Sequence, residues 1–204
     1  MPVRGIADGK SRLAAVLEPA ARARLNRKLL ASTLDAIGRW RGDLGRCVVV
    51  SPCQEALEMA ARLGAATVLE TPGSDGLNAA AALGAAYAGS KGARSVLVLP
   101  CDLPYLSADA LAALVDTAEA APHMVIAPDR LGTGTNALLV SVQRPFEFRF
   151  GERSFERHLL LAAERGWRTS LCQRPELEFD LDTPEDLAAW HGRAEMATKS
   201  AQLK

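Results

Sequence analysis

Short apolar segments alternate along this chain with longer segments in which apolar residues recur at helical spacing. The segments at 46–52, 66–70 and 94–104 are apolar over most of their length and are closed by turn residues, which is typical of buried strands. Strands without polar alternation are usually covered on both faces, as in parallel sheets. Because such strands alternate with helices, the sequence predicts an α/β fold with a mostly parallel central sheet and helices on both faces.

The remaining segments complete this order of elements. Pro19 suits the first turn of a long helix within 11–40, since a helix needs no backbone N–H donor at that position. Further elements are predicted as helices at 54–64, 77–89, 108–121 (capped by Ser107) and 154–166, strands at 123–128, 136–142 and 168–172, a loop at 71–76, and a short strand, turn and helix at 178–190. We predict one domain over 1–192 and a frayed polar tail over 193–204.

Composition restricts the class of protein. The 204 residues carry a formal net charge of +0, which argues against a nucleic-acid-binding protein. The cysteines form no C-x-x-C pair and match no disulfide or zinc framework, so we interpret them as reduced thiols of a cytoplasmic protein; they are Cys47, Cys53, Cys101 and Cys172. No apolar run has the length of a membrane span, and no signal peptide is predicted.

Polar residues follow several predicted strands, at the edge where open parallel sheets bind ligands. In "LPCDLP" (99–104), Asp102 lies between Pro100 and Pro104 at the end of the most apolar strand. Mg²⁺ prefers oxygen ligands and usually binds through one or two carboxylates together with phosphates, so Asp102 is a candidate metal ligand. The alternative is that Asp102 is a turn or capping residue.

Asp180 and Asp182 alternate in "FDLDTPEDL" (179–187) and therefore point the same way in an extended segment. The residues from 182 to 186 also have the composition of a helix start, with Asp182 or Thr183 as the cap and Pro184 in the first turn. Asp180 is not needed for that start, which makes it the better metal candidate of the two.

Arg4, Lys10 and Arg12 fall in one predicted loop, within "PVRGIADGKSRLA" (2–14). Basic side chains neutralise phosphate oxygens, and glycines let a backbone approach a phosphate closely. The loop is therefore either a phosphate-binding clamp or an ordinary basic surface turn.

Two turns are rich in hydrogen-bond donors. The segment "GTGTN" (132–136) is longer than a hairpin requires, and its backbone N–H groups suit an anion. In "FRFGERSFERH" (148–158), Gly151 predicts a turn and Ser154 a helix cap, again at a position suited to an anion, unless Ser154 serves as a cap alone. His158 follows one turn later and is interpreted as structural.

Together, these residues suit a Mg²⁺-bound nucleoside triphosphate and a second anionic substrate. The motifs "KSRL", "PCDLP", "APDRLGTGTNALL", "FRFGERSFERH" and "DLDTPEDL" resemble, in this order, those of the guanylyltransferases of deazaflavin coenzyme F-420 biosynthesis, which use 2-phospho-L-lactate or phosphoenolpyruvate. The resemblance covers residues 2–190. It implies a Rossmann-like, glycosyltransferase-A-like nucleotidyltransferase fold and Mg²⁺-dependent attack by a substrate phosphate on the α-phosphate of GTP, with release of pyrophosphate.

The resemblance also assigns residues by position. It implies that Asp102 and Asp180, with Asp182 as a further candidate, hold Mg²⁺. The phosphorylated carboxylic acid (phosphoenolpyruvate, 2-phospho-L-lactate or 3-phospho-D-glycerate) would be bound by Arg4, Thr135, Gly151 and Ser154. The catalytic residues Lys10 and Arg12 would contact the triphosphate, with Asn78 near the nucleotide.

Two departures from the family pattern leave alternatives open. The chain begins at Met1-Pro2-Val3, where the family has a full apolar strand, and Arg4 replaces a family lysine that touches the acceptor. One alternative is a molybdenum-cofactor nucleotidyltransferase, although its N-terminal Gly-rich loop is missing here. The other is a non-catalytic nucleotide-binding relative, against which both Asp102 and Asp180 argue. The identity of the acceptor and the oligomeric state, including a homodimer, stay open.

Overall fold

The computed structural model describes residues 1–70, 76–143 and 145–202; the predicted loop at 71–76 lies outside these residues except for Gly76. The elements in chain order are a 3₁₀ turn Ser11–Ala15, α1 Pro19–Arg41, β1 Val48–Ser51, α2 Gln54–Arg62, β2 Ala66–Leu69, α3 Leu77–Ser90, β3 Ser95–Val98, α4 Ala108–Asp116, β4 His123–Pro128, β5 Thr135–Ser141, α5 Ser154–Glu164, β6 Arg168–Leu171, α6 Pro175–Glu178 and α7 Pro184–Gln202. Helices and strands alternate as the sequence predicts.

Four strands form the larger sheet in the order β3-β5-β4-β6. Strands β3, β4 and β6 point the same way, whereas β5 returns from β4 as a hairpin and runs antiparallel to both of its neighbours. Strands β1 and β2 form a separate parallel pair, and Pro2 adds a single parallel bridge to Val50. The predicted α/β fold is confirmed, with β5 as the reversed strand.

Strands β4 and β5 are buried along their whole length because helices cover both faces of the sheet. On one face, Val125 and Leu139 pack in the same core cluster as Leu111 of α4. On the other face, Ile126 and Leu138 pack in a cluster with Leu161 of α5. This double burial accounts for the continuous apolar runs in the sequence.

Three predicted boundaries were wrong. Strand β3 ends at Val98, not at 104, because Pro100 offers no N–H to a sheet ladder and the chain bends at Cys101. The short strand expected from 178 does not form: Glu178 ends the one-turn helix α6, which Pro175 starts, and residues 179–182 have no regular secondary structure. The residues expected as a frayed tail continue α7 as far as Gln202.

Among the described residues, no helix has both the length and the apolar composition needed to cross a bilayer.

Candidate active site

An ion network joins the N-terminal loop to the ends of two distant segments. The Lys10 Nζ atom lies 3.1 Å from Asp102 Oδ2 and 2.6 Å from Asp182 Oδ1, and the Lys10 side chain is only 10% exposed. Burial works to lower the pKa of Lys10, but the charges of the two carboxylates outweigh it, so the pKa is raised overall. Lys10 is therefore a charged ammonium held between two carboxylates.

The backbone explains how the carboxylates meet. The N–H of Leu181 donates to the backbone carbonyl of Asp102 at 3.0 Å, and the Leu181 side chain is fully buried. Alternation then places Asp180 and Asp182 together on the side opposite Leu181. The structure thus brings Lys10, Asp102 and Asp182 together, just beyond the carboxyl end of β3.

Negative charge exceeds positive charge at this edge. Burial raises the pKa of Asp180, and the negative charges of Asp102 and Asp182 raise it further. The Oδ1 atom of Asp102 is buried and has no hydrogen-bond partner. Arg12 contributes only an exposed guanidinium, 3.6 Å from Asp182 Oδ2. A further cation would relieve both the repulsion at Asp180 and the unpartnered oxygen.

These carboxylates suit Mg²⁺ better than a metal that needs a complete protein cage. Over residues 1–70, 76–143 and 145–202, no group of three or more His, Cys, Asp or Glu side chains converges closely enough to hold an ion. Mg²⁺ usually binds through one or two carboxylates and completes its coordination with water and substrate phosphates. Asp102 and Asp180 offer such a pair, because Asp102 binds Lys10 through Oδ2 only and its Oδ1 has no partner. Both oxygens of Asp182, by contrast, already lie beside a basic side chain, Lys10 or Arg12.

A clamp that the sequence analysis missed fixes the acidic segment. Asp186 Oδ2 accepts the backbone N–H groups of Asp182 and Thr183 at 3.0 and 2.8 Å, while Thr183 Oγ1 accepts the N–H of Asp186 at 3.2 Å. This reciprocal capping box confirms Thr183 as the cap of α7. Arg130 pairs with the other oxygen of Asp186, and its N–H donates to the carbonyl of Glu178 at 2.9 Å. No sequence spacing connects Arg130 to this segment.

The second group of predicted residues lies around the start of α5. Thr135, the first residue of β5, is buried, and its Oγ1 lies 3.1 Å from His158 Nδ1. The N–H of Phe155 donates to the carbonyl of Thr133 at 3.1 Å, which joins the start of α5 to the 129–134 turn. The structure therefore brings the "GTGTN" and "FGERS" motifs together, as predicted.

Ser154 does not cap α5, so that prediction was wrong. The cap position belongs to Arg153, whose φ of 52° is left-handed, and Ser154 is the first residue of the helix. The N–H of Ser154 donates to the carbonyl of Gly151 at 3.1 Å. Gly151 itself has a φ of +113°, a conformation that only glycine adopts without strain, and no atom lies within 4 Å of where a Cβ would be.

The 129–134 turn has fewer available donors than predicted. Asp129 closes the turn by accepting the N–H of Thr133 at 2.8 Å, and its own N–H donates to the carbonyl of Gly134. The Asn136 amide donates to the carbonyls of Leu177 and Glu178 at 3.0 and 3.1 Å. These donors are therefore used within the protein and stabilise its fold. Asn136 in particular connects the start of β5 to the segment that precedes Asp180.

Asn78 also forms structural contacts. Its amide nitrogen donates to the carbonyl of Phe150 at 3.1 Å, and its Oδ1 accepts the N–H of Phe150 at 2.7 Å. Asn78 thereby fixes the backbone directly before Gly151, and a direct contact with the nucleotide stays a prediction. The side chain of Arg4 is exposed in the loop that precedes Lys10.

Several proteins similar to this chain are named guanylyltransferases. A family model described as "Guanylyl transferase CofC like" matches residues 1–200. The chain is 44% identical over 189 residues to a phosphoenolpyruvate guanylyltransferase of Rubrobacter xylanophilus, covering 92% of this chain and 90% of the relative. It is 38% identical to a 3-phospho-D-glycerate guanylyltransferase of Phenylobacterium zucineum (91% and 85% covered) and 33% identical to a 2-phospho-L-lactate guanylyltransferase of Methanothermobacter thermautotrophicus (92% and 80% covered).

The fold resembles that of a solved structure. A putative nucleotide-diphospho-sugar transferase from Desulfovibrio desulfuricans G20 superposes with a TM-score of 0.70 at 18% identity, covering 91% of this chain and 82% of that chain. At this identity the similarity concerns the fold alone. It agrees with the nucleotidyltransferase fold that the sequence motifs imply.

Proposed function

The chain belongs to the family of CofC-like guanylyl transferases, and on this premise we propose that it transfers GMP from GTP to the phosphate of phosphoenolpyruvate, in deazaflavin coenzyme F-420 biosynthesis. A phosphate oxygen of the acid forms a bond to the α-phosphorus of GTP. The bond from that phosphorus to the oxygen leading to the β-phosphate breaks, and pyrophosphate leaves with the electron pair. The 44% identity to a phosphoenolpyruvate guanylyltransferase supports this acid as the acceptor over the two other acids used by relatives.

The observation that carries the proposal is the partly buried network of Lys10, Asp102 and Asp182. An ammonium has three donors, and two of those on Lys10 are used by the carboxylates. The third can reach a phosphate oxygen while the carboxylates stay in place. Arg12 is exposed enough to contact the triphosphate from solvent. Both side chains would neutralise charge on the departing pyrophosphate, which is the main demand of nucleotidyl transfer.

We further propose that Asp102 and Asp180 hold Mg²⁺. Two observations support this assignment: the Oδ1 of Asp102 is buried and has no partner although Oδ2 binds Lys10, and the pKa of Asp180 is raised. Each indicates carboxylate oxygen that a bound cation would stabilise. When bound, the ion would neutralise phosphate oxygens and orient the triphosphate. Asp182 would act mainly by holding Lys10.

The acceptor acid is proposed to bind beside Thr135, Gly151 and Ser154, with Arg4 adding positive charge from the loop. The N-terminus of α5 carries partial positive charge, and the missing side chain at Gly151 leaves its backbone open to an anion. The buried Thr135 hydroxyl contacts His158, a residue in the second turn of α5, and this contact places the hydroxyl near the N-terminus of that helix.

A pyrophosphate-release assay with GTP and Mg²⁺ tests the function, offering phosphoenolpyruvate, 2-phospho-L-lactate and 3-phospho-D-glycerate in turn. We expect release with phosphoenolpyruvate and a guanylylated product of the corresponding mass. Asp102→Asn should lower kcat by at least about 100-fold, as for loss of a major electrostatic group. Asp35→Asn, which alters an exposed ion pair in α1, is the matched control and should leave kcat unchanged. Folded protein that releases no pyrophosphate with any acid would contradict the proposal.

A further inference from the structure

His158 connects the two motifs that surround the proposed acceptor site. The side chain is fully buried, and its ring centroid lies 5.0 Å from that of Phe150 and 6.3 Å from that of Phe146. Both ring nitrogens have a partner: Nδ1 lies 3.1 Å from Thr135 Oγ1, and Nε2 lies 3.0 Å from the backbone nitrogen of Arg149. A ring held in this way has one orientation.

These contacts also determine where the ring proton lies. The N–H of Arg149 can only donate, so Nε2 must accept and carries no proton. In a neutral imidazole the single proton is then on Nδ1. The ring is neutral at neutral pH because burial, followed by the positive charges of Arg157 and Arg149, lowers the pKa of His158 to about 4, although a backbone hydrogen bond to Ser154 works to raise it. Nδ1–H therefore donates to Thr135 Oγ1.

The direction of this bond has a consequence for Thr135. A hydroxyl that accepts from Nδ1–H cannot donate to the same nitrogen, so its own proton must point to another acceptor. We propose that His158 is a positioning residue, which orients the Thr135 hydroxyl as a hydrogen-bond donor to the anionic acceptor acid. The proposal rests on the proposed function, since it concerns the acid that the Thr135 site binds.

Two substitutions separate this function from simple packing. In His158→Asn, the amide nitrogen can take the place of Nδ1 and still donate to Thr135. In His158→Gln, the amide oxygen can still accept from Arg149, but no donor remains near Thr135. We expect His158→Gln to raise the KM for the acid by roughly 10- to 100-fold, the range for one hydrogen bond to a charged group, with the KM for GTP within about 2-fold. His158→Asn should restore most of the loss.

A double-mutant cycle with Thr135→Val tests whether His158 acts through the hydroxyl. If it does, His158→Gln adds little to the KM for the acid once Thr135→Val is present. Equal effects of His158→Gln in both backgrounds, or equal losses in the folded Asn and Gln variants, would overturn the proposal. If His158→Gln does not fold, the acid KM of His158→Asn, which should stay close to wild type, is compared with that of Thr135→Val.

An NMR measurement tests the proposal without turnover. In ¹⁵N-labelled wild-type protein at pH 7, the His158 ring should show a protonated Nδ1 and an unprotonated Nε2. A protonated Nε2 would overturn the proposal even in an active enzyme. Conversely, the expected tautomer in a protein that releases no pyrophosphate would contradict the proposed function and leave the proton assignment intact, so the two failures are distinguishable.

Discussion

Acidification from pH 7 to pH 5 should destabilise this protein through His158. In the unfolded chain, a histidine has an ordinary pKa of 6.5, whereas in the fold the pKa of His158 is about 4. Between these two values the unfolded chain binds a proton that the folded protein does not bind. The stability contributed by the neutral ring is therefore complete above about pH 7 and decreases as the pH falls toward 4.

The size of the effect follows from the two pKa values. Between pH 6.5 and pH 4, the free energy of unfolding falls by about 1.4 kcal/mol for each pH unit. At pH 5 it should therefore be about 2 kcal/mol lower than at neutral pH. The positive charges that face the ring, Arg157 and Arg149, stay protonated throughout and oppose its protonation. The pKa of the buried His123 is also lowered, whereas that of Asp180 is raised. Both groups therefore affect the pH dependence of stability, and a variant is needed to isolate His158.

Urea denaturation of the wild type and of His158→Asn, at pH 7.5, 6 and 5, measures the contribution. Asparagine does not titrate. The wild type should therefore lose about 2 kcal/mol of its free energy of unfolding, relative to His158→Asn, between pH 7.5 and pH 5. His191→Asn, at an exposed histidine of α7, is the matched control and should follow the wild type. Parallel pH profiles for the wild type and His158→Asn would refute the assignment of a buried neutral ring.

Substitutions at four further positions test the supporting contacts. Asp186→Ala removes the acceptor of two backbone N–H groups and should lower the free energy of unfolding by about 2 kcal/mol or more in urea denaturation, with a smaller loss for Asp186→Asn. Gly9→Ala places a Cβ 2.9 Å from a backbone carbonyl of the Lys10 loop and should cost about 1–3 kcal/mol, whereas Gly38→Ala, in an open part of α1, should stabilise by up to about 1 kcal/mol. Asn78→Ala loses both bonds to Phe150 and should raise the KM for the acid more than the KM for GTP.

Local patterns identified much of the fold because their causes are local. The apolar runs of β4 and β5 predict burial on both faces, and the structure buries every residue of these strands. Ser107 was predicted as a cap, and its Oγ accepts the N–H of Ala110 at 3.1 Å. The predicted cap at Ser154 failed because the left-handed residue Arg153 takes the cap position, so the helix begins at Ser154, one position earlier than a Ser154 cap would place it. A serine at the start of a helix does not by itself show whether it is the cap or the first helical residue.

The sequence alone determined which residues are available for chemistry and which short segments carry them, since alternation, caps and motifs depend on neighbouring residues. Only the tertiary structure decided their partners. Lys10 meets carboxylates that are 92 and 172 residues away, and Asn78 meets a backbone 72 residues away. From the sequence, His158 is a single histidine within a helix. In the structure, its ring is buried and contacts Thr135 of β5. Contacts of this kind depend on which elements the core brings together, and no short segment of sequence encodes that choice.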